Sequence, residues 1–300
     1  MSTSTFLQEL VARGLLIPTG VDGVYGRSGV FEDALLRFDS YISKLAEKDK
    51  AQVMRFPPLV TRENFEKSGY LKSFPHLAGP VFSFNGQPAQ HAALLERVQK
   101  GEPWADMLSM TDTVLTPAAC YPVYPTVARE PLASGGRLID VFSYCFRHEP
   151  SIDPARMQMF RMREFIRIGS PEECEEWRDQ WIDRAGHWLQ DLGLPAESAV
   201  ANDPFFGRGG KMLALNQREQ KLKFELVVPI ATPESPTAIM SFNYHQEHFG
   251  KTFGINQSTG EVAHTACVGF GMERVTLALF KFHGLDPDKW PAQVRERLWG

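Results

Sequence analysis

The sequence predicts an α+β fold in which helices flank an antiparallel β-sheet. Three observations support this prediction: apolar segments of strand length cluster in the middle of the chain, segments of helical periodicity precede and follow them, and the two kinds do not alternate regularly. A doubly wound parallel sheet requires a helix after nearly every strand, so this order favours antiparallel pairing.

The N-terminal part is predicted to form one long helix and a short strand. From Phe31 to residue 48, apolar side chains recur every three or four residues, which places them on one helical face. A short apolar segment follows and stops at Pro57 and Pro58, because proline cannot donate to a sheet ladder. An amphipathic stretch at residues 6–16 and a glycine-rich connection come before the helix.

Two central segments are predicted to pair as antiparallel strands. Residues 138–146 are apolar, β-branched or aromatic, and residues 160–168 alternate in character. A polar loop with two prolines joins them. Strict alternation puts Glu164 and Phe165 on opposite faces of the second strand unless a bulge intervenes.

The C-terminal half adds helices and a further strand. Ser170 begins a capping box with proline at the first helical position, and three tryptophans at helical spacing follow, which is typical of a core face. Residues 211–219 are predicted as helix and residues 221–230 as strand. Residues 268–284 predict a glycine-punctuated entry into an apolar helix that ends at Gly284.

Composition excludes several classes of protein. The 300 residues carry 32 Lys and Arg against 36 Asp and Glu, a formal net charge of −4, so the basic footprint of a general nucleic-acid binder is missing. No apolar run reaches the ~18 residues of a membrane span, and the N-terminus lacks a signal-peptide pattern. Four cysteines without a CxxC pair are too few for a disulfide scaffold, and we expect a cytoplasmic protein.

The densest chemistry lies around the loop between the two central strands. Arg147 and Glu149 are two residues apart, hence on one face of a strand, and the second strand presents Arg163 and Phe165 together. Such side chains suit a phosphate, an exocyclic amine and a planar base. Ion pairs across a surface hairpin are the alternative interpretation of the same residues.

The spacing of FRxE, a variable loop and RxxxF resembles motif 2 of the class II aminoacyl-tRNA synthetases. The helix at residues 31–48 with its proline-terminated strand resembles motif 1, and GFGMER at residues 269–274 with the helix after it resembles motif 3. The resemblance implies a class II catalytic core at residues 31–300, an N-terminal extension at residues 1–30, and a homodimer formed through motif 1.

Within this class the chain resembles seryl enzymes of the atypical, archaeal type. The segments that carry this resemblance are LTPAACYPVYP at 115–125, KFELVVPI at 223–230 and HTACVGFGMER at 264–274. It implies that Cys120, Glu164 and Cys267 hold one Zn²⁺ ion, which would bind the α-amino group of the substrate. Rival candidates for the third ligand are the histidines His245, His248 and His264.

Seryl enzymes carry a substantial N-terminal tRNA-binding domain, whereas 30 residues precede the motif 1 helix here. A bare core with this Cys/Glu/Cys set resembles the amino acid:[carrier protein] ligases, which load a small amino acid onto the phosphopantetheine of an acyl carrier protein. The resemblance implies ATP with Mg²⁺, glycine or alanine as substrate, an acyl carrier protein as partner, and no tRNA.

The class II motifs also imply a role toward ATP for several side chains. Arg147 would bind the α-phosphate, Arg274 the γ-phosphate, Glu149 the adenine amine and Phe165 the adenine face. Further positions that the resemblance brings to ATP are Arg156, Met157, Lys223, Ala238 and Ser241.

A carrier protein is usually acidic, so we expect a basic dock. The segment 208–223 has five basic residues against one acidic residue, and the predicted contacts are Arg208, Lys211, Arg218 and Lys221. A solvated helix face explains the same charges. Two other functions stay open: a truncated seryl-type tRNA synthetase that works with help in trans, and a catalytically inactive paralogue that senses an amino acid.

Overall fold

The computed structural model describes residues 3–129, 131–232 and 234–300. The strands are β1 (Leu16–Pro18), β2 (Tyr25–Arg27), β3 (Gln52–Met54), β4 (Leu59–Thr61), β5 (Pro80–Ser83), β6 (Ser109–Leu115), β7 (Arg137–Phe146), β8 (Met159–Gly169), β9 (Glu197–Val200), β10 (Lys223–Thr232), β11 (Ser235–Gln246) and β12 (His264–Gly271). The helices are α1 (Thr3–Ala12), α2 (Gly29–Ala46), α3 (Arg62–Lys67), α4 (Tyr70–Ser73), α5 (Pro88–Lys100), α6 (Val123–Val127), α7 (Pro171–Asp191), α8 (Gly207–Glu219), α9 (His248–Phe253), α10 (Met272–His283) and α11 (Ala292–Trp299).

A seven-stranded sheet in the order β3-β7-β8-β12-β11-β10-β9 forms the centre of the described chain. All of its neighbouring pairs are antiparallel except β3 with β7 at one edge. The α+β prediction with an antiparallel sheet is therefore confirmed. The central pair β7–β8 joins the two segments that the sequence predicted to be partners.

One face of this sheet, which we call the helix face, is the face that carries Phe165. Helices α2, α7 and α10 contribute buried side chains to the main apolar core together with Phe165. The predicted capping box of α7 is present, since Ser170 and Glu173 exchange hydrogen bonds with each other's backbone N–H. The N-terminal segment also joins this core through Phe6, Leu10 and Leu16.

Two arginines of β8 link the helix face to α2 and α10 through buried ion pairs. Arg161 donates to Glu273 at 2.8 Å and to Glu32 at 2.6 Å, and Arg163 donates to Asp140 at 2.7 Å. Because a buried charge is costly without a partner, each guanidinium is satisfied by carboxylates on more than one element. These ion pairs thus fix α2 and Glu273, the residue before Arg274, relative to the sheet.

A smaller three-stranded sheet, in the order β4-β6-β5, lies beside the central one. The sequence analysis did not predict it, because its strands are short and largely exposed. The glycine-punctuated entry predicted from residue 268 is the end of β12, and the apolar helix α10 begins at Met272. The end at Gly284 is confirmed. Within the described residues, no helix is both long and apolar enough to cross a membrane.

Candidate functional site

The opposite face of the central sheet, which we call the site face, forms the floor of a cavity of about 620 Å³. The segment around α4, the loop at residues 203–205 and helix α8 close the cavity from above. Such a volume lies in the range of pockets that enclose small molecules. Two cysteines, a glutamate and two arginines line the same cavity.

Hydrogen-bonded registers bring the floor residues together. In one row across the sheet, Glu225 lies beside Ser241, Ser241 beside Gly269, and Gly269 beside Glu164. Gly269 leaves space on the cavity floor, because a Cβ at this position would lie 3.2 Å from the Ser241 hydroxyl. In the next row Lys223 lies beside Asn243 and Asn243 beside Cys267. Residues far apart in the chain therefore meet on one surface.

Cys120, Glu164 and Cys267 form a buried cluster in which the ligand atoms all lie within 4.8 Å of one another. Each side chain is at most 4% exposed. Glu164 and Cys267 come from the sheet floor, and Cys120 comes from the turn just before α6. The cluster matches the residues that the sequence predicted for zinc, and we call it the thiol–carboxylate cluster.

Burial and mutual contact shift the pKa values of all three groups in the thiol–carboxylate cluster. Burial, followed by the charge of Cys267, raises the pKa of Glu164 to about 7. The hydrogen bond between the two thiols raises the pKa of Cys120 and lowers that of Cys267. The backbone N–H of Ala119 donates to Glu164 at 2.7 Å. A divalent cation at this point would remove the mutual repulsion of the ionised forms.

Polar side chains surround the cluster on its outer side. His245 Nε2 lies 3.6 Å and Asn243 Nδ2 lies 3.5 Å from the Cys267 sulfur. The hydroxyl of Tyr124 is buried without a hydrogen-bond partner among the described residues. Donors of this kind stabilise thiolates that serve as metal ligands.

The three histidines considered as rival ligands lie outside the thiol–carboxylate cluster. His245 contacts Cys267 as described, whereas His248 bonds to the carbonyl of Ser68 at 3.1 Å. His264 bonds to the hydroxyl of Tyr244 at 2.6 Å. The geometry thus favours Glu164 as the third group.

Arg147 and Arg274 both line the cavity. Arg147 Nε donates to the carbonyl of Pro117 at 3.1 Å, and its guanidinium lies 5.6 Å from the ring centre of Phe160. Arg274 donates to the carbonyls of Ala155 and Ala238 at 2.8 and 2.9 Å. Burial, and then the charge of Arg147, lower the pKa of Arg274. Two cations in one buried space favour an anionic ligand between them.

The role predicted for Phe165 is corrected by its position. Its ring is 1% exposed and stacks on Trp181 at 5.0 Å in the core of the helix face, so it does not reach the cavity. The ladder around Glu164 and Phe165 is regular on both sides, and no bulge turns the two residues to one face. The aromatic ring of β8 that lines the cavity is Phe160. After FRxE the pattern RxxxF occurs twice, at 156–160 and at 161–165, and the first match contains the cavity residue Phe160.

The remaining predicted ATP contacts fall into two groups. Lys223, Ala238 and Ser241 line the cavity. Glu149, Arg156 and Met157 do not line it: Arg156 is exposed at 3.9 Å from Glu149, and Met157 is buried in the main core. These three residues belong to the loop at 147–158, which begins at Arg147 and contacts Arg274 through Ala155.

Two cavity carboxylates were missed by the sequence analysis. Asp203 contacts Lys223 at 2.5 Å and accepts from Gln217 of α8 at 2.8 Å. Burial raises the pKa of Asp203, but Lys223 and the other donors outweigh it and leave the pKa lowered. Glu225 lies 3.2 Å from Lys223 on its other side. Asp203 lies in an irregular segment, where periodicity carries no signal, but the alternation of β10 put Glu225 on the face of Lys223.

Helix α8 carries the predicted dock on its surface. Arg208, Lys211, Arg218 and Lys221 are exposed on or just after it. Met212 and Leu215 are 74% and 60% exposed, which is unusual for large apolar side chains without a partner. Its other side contributes Leu213, Asn216 and Gln217 to the cavity. One short helix thus separates a basic, partly apolar surface from the cavity.

Comparison with known proteins identifies the class first. The family model of the tRNA synthetase class II core domain (G, H, P, S and T) matches residues 110–283. The structure of seryl-tRNA synthetase from M. kandleri, solved with A. aeolicus tRNASec, superposes with a TM-score of 0.83 at 23% identity. That superposition covers 97% of this chain and 59% of the synthetase. The chain therefore has the class II synthetase core fold.

Two relatives from Bradyrhizobium diazoefficiens are more similar to this chain in sequence than that synthetase is. Amino acid–[acyl-carrier-protein] ligase 1 is 49% identical over 93% of this chain and 86% of its own length. Amino acid–[acyl-carrier-protein] ligase 2 is 48% identical over 96% of this chain and 86% of its own length. The chain belongs to this family of ligases.

Proposed function

We propose that the protein activates a small amino acid with ATP and transfers it to the phosphopantetheine thiol of an acyl carrier protein. The observation that carries the proposal is a single cavity lined by the thiol–carboxylate cluster and by Arg147 and Arg274. The floor of β8 from Phe160 to Glu164 spans about 13 Å at the usual rise of a strand. That length suits an aminoacyl adenylate lying along the strand.

The thiol–carboxylate cluster fits a zinc ion. Two sulfurs and one carboxylate oxygen are typical zinc donors, and Zn–S bonds of about 2.3 Å keep two sulfurs within about 4.6 Å. The three ligand atoms already lie within 4.8 Å of one another, so small side-chain rotations suffice. With three protein ligands, one coordination position is left for a substrate amine. The bound ion would supply a Lewis acid that holds the α-amino group in its neutral form.

The chain's own residues position the first reaction step. Arg147 would bind the α-phosphate, where the amino acid carboxylate forms a new P–O bond as pyrophosphate leaves. Arg274 would bind the γ-phosphate, and Mg²⁺ bound with ATP would neutralise part of the phosphate charge, as the class II core implies. We propose Phe160 as the ring that stacks on adenine, because it lines the cavity next to Arg147. Reactants held in this way need little further reorganisation.

The second step needs no protein nucleophile. The phosphopantetheine sulfur attacks the carbonyl carbon of the adenylate, a thioester forms, and AMP leaves. We propose that the carrier binds the outer surface of α8, where Arg208, Lys211, Arg218 and Lys221 are exposed next to Met212 and Leu215. An acidic carrier is attracted by these charges.

We propose glycine or alanine as the amino acid. Aromatic rings narrow the cavity near the cluster: Tyr121 lies 5.9 Å from Phe249 and 5.6 Å from Tyr70, and all three residues line it. Rigid rings of this kind exclude a long side chain at the metal end.

We also propose a homodimer. The segments that resemble motif 1 leave large apolar side chains exposed, namely Val30 and Leu36 of α2 and Val53 of β3. A second copy would cover this surface.

The proposal is tested in two stages. ATP–pyrophosphate exchange across the twenty amino acids should detect activity with glycine or alanine. Intact mass of a holo acyl carrier protein should then show one added aminoacyl group. Loading of total tRNA in place of the carrier would support the truncated synthetase, and no exchange with any amino acid would support the inactive paralogue.

A further inference from the structure

The N-terminal hairpin β1–β2 lies against the loop that follows Arg147. Its turn, residues 19–24, contacts Gln158, which is 4% exposed and ends this loop. The backbone N–H of Gln158 donates to the carbonyl of Gly23 at 2.8 Å, and its side-chain amide donates to the carbonyl of Asp22 at 2.8 Å. Gln158 is therefore held at two points by a segment that lies outside the three class II motifs.

The same glutamine connects directly to Arg147. The backbone N–H of Arg147 donates to the carbonyl of Gln158 at 2.9 Å. A continuous chain of hydrogen bonds thus runs from Gly23 through Gln158 to the backbone of Arg147. The side chain of this arginine is the one assigned to the α-phosphate. Since a displacement of about 1 Å at a reacting group costs up to about 100-fold in rate, such a chain matters for activity.

Arg27, at the end of β2, adds a second attachment immediately after this loop, at the start of β8. Its Nη2 donates to the carbonyl of Met159 at 3.0 Å and lies 3.2 Å from the Glu273 carboxylate. Glu273 precedes Arg274, the other cavity arginine, and Arg274 donates to Ala155 inside the loop at 2.8 Å. Both cavity arginines are thereby linked to one hairpin.

Gly23 approaches the loop more closely than a residue with a side chain normally does. Its φ is +77°, and a Cβ at this position would lie 3.1 Å from the Arg156 carbonyl and 3.2 Å from Gln158 Cγ. Gly20, in the same turn, has a φ of +89° with no atom within 4 Å of its Cβ position. An alanine at either position would be strained by its positive φ, but only Gly23 also contacts the loop.

We propose that the turn of the β1–β2 hairpin is a positioning element for ATP: it clamps Gln158 and so sets Arg147 and the loop at 147–158 in their nucleotide-binding arrangement. The inference rests on the ATP site proposed above. It assigns Gly23, Arg27 and Gln158 as positioning residues, which touch neither ATP nor the amino acid.

Gly23→Ala and Gly20→Ala form a matched pair of variants, because both place a Cβ on a residue with positive φ. In pyrophosphate exchange, Gly23→Ala should raise the KM for ATP about tenfold and leave the KM for the amino acid unchanged, while Gly20→Ala changes neither by more than about twofold. Equal KM values for ATP in the two variants would overturn the inference. A wild type without exchange would instead contradict the proposed function.

A second measurement works without activity. Arg156 is exposed in the loop, so trypsin cleaves after it at a rate set by loop mobility. Gly23→Ala and Gln158→Met should both be cleaved faster than Gly20→Ala at equal thermal stability. Cleavage at the same rate in all three variants would refute the clamp, whatever the enzyme's substrate.

Discussion

Replacing Phe160 and Phe165 separately tests which aromatic ring of β8 serves the nucleotide. Phe160 lines the cavity 5.6 Å from the guanidinium of Arg147. Base stacking on an aromatic ring contributes about 1–3 kcal/mol, and 1.4 kcal/mol is tenfold in binding. Phe160→Ala should therefore raise the KM for ATP by about 5- to 100-fold in pyrophosphate exchange.

For Phe165 we expect the opposite pattern: a loss of stability without a change in the KM for ATP. Its buried ring packs on Trp181 at 5.0 Å and Phe270 at 6.3 Å, and removal of such a ring costs about 3–5 kcal/mol. The melting temperature of Phe165→Ala should fall by roughly 6–20 °C. The milder Phe165→Leu keeps enough protein folded for kinetics and should retain the wild-type KM for ATP. A raised KM for Phe165→Leu with unchanged melting temperature would refute the assignment.

Three further variants probe the rest of the cavity and the proposed carrier dock. Arg274→Ala should lower kcat/KM for exchange about 100-fold or more, since a buried cation stabilises the developing charge; full activity would contradict that role. Asp203→Asn should lower the free energy of unfolding by about 2 kcal/mol at neutral pH, because Lys223 loses a carboxylate partner. Since the pKa of Asp203 is lowered by Lys223 despite its burial, its stabilisation is complete above the usual value of 3.8 and is lost as pH falls through the lower folded value. Urea unfolding of both proteins at about pH 7 and about pH 3 should show the difference shrink, and a constant difference would argue against this origin. Arg218→Glu with Lys221→Glu should raise the KM for the carrier about tenfold and leave exchange intact; equal losses in both assays would exclude this dock.

The sequence predicts those parts of the fold that depend on local rules. The cap of α7 follows from Ser170 and Glu173, which satisfy each other's backbone donors. The alternation of β8 correctly separates Glu164 from Phe165, because side chains of a regular strand point to opposite faces. That rule outweighs the motif match that placed Phe165 at the nucleotide.

The parts that depend on long-range packing could not be predicted in this way. The clamp on Gln158 joins backbone groups more than 130 residues apart, and backbone carbonyls leave no mark in a sequence. Asp203 belongs to a segment without periodicity, and its partners Lys223 and Gln217 become visible only once α8 covers the sheet. The thiol–carboxylate cluster was predicted through its resemblance to a family, since single cysteines in apolar segments usually serve as small core residues.

The metal content of the purified protein tests the central claim most directly. Elemental analysis of the wild type should find about one zinc per chain, and Cys267→Ala should lose it. Cys174→Ala is the matched control, because this thiol is also buried but bonds to the carbonyl of His264 at 3.3 Å, outside the cluster. Zinc retained in Cys174→Ala and lost in Cys267→Ala is the expected result, whereas a wild type without a transition metal, or with zinc that survives Cys267→Ala, would contradict the account.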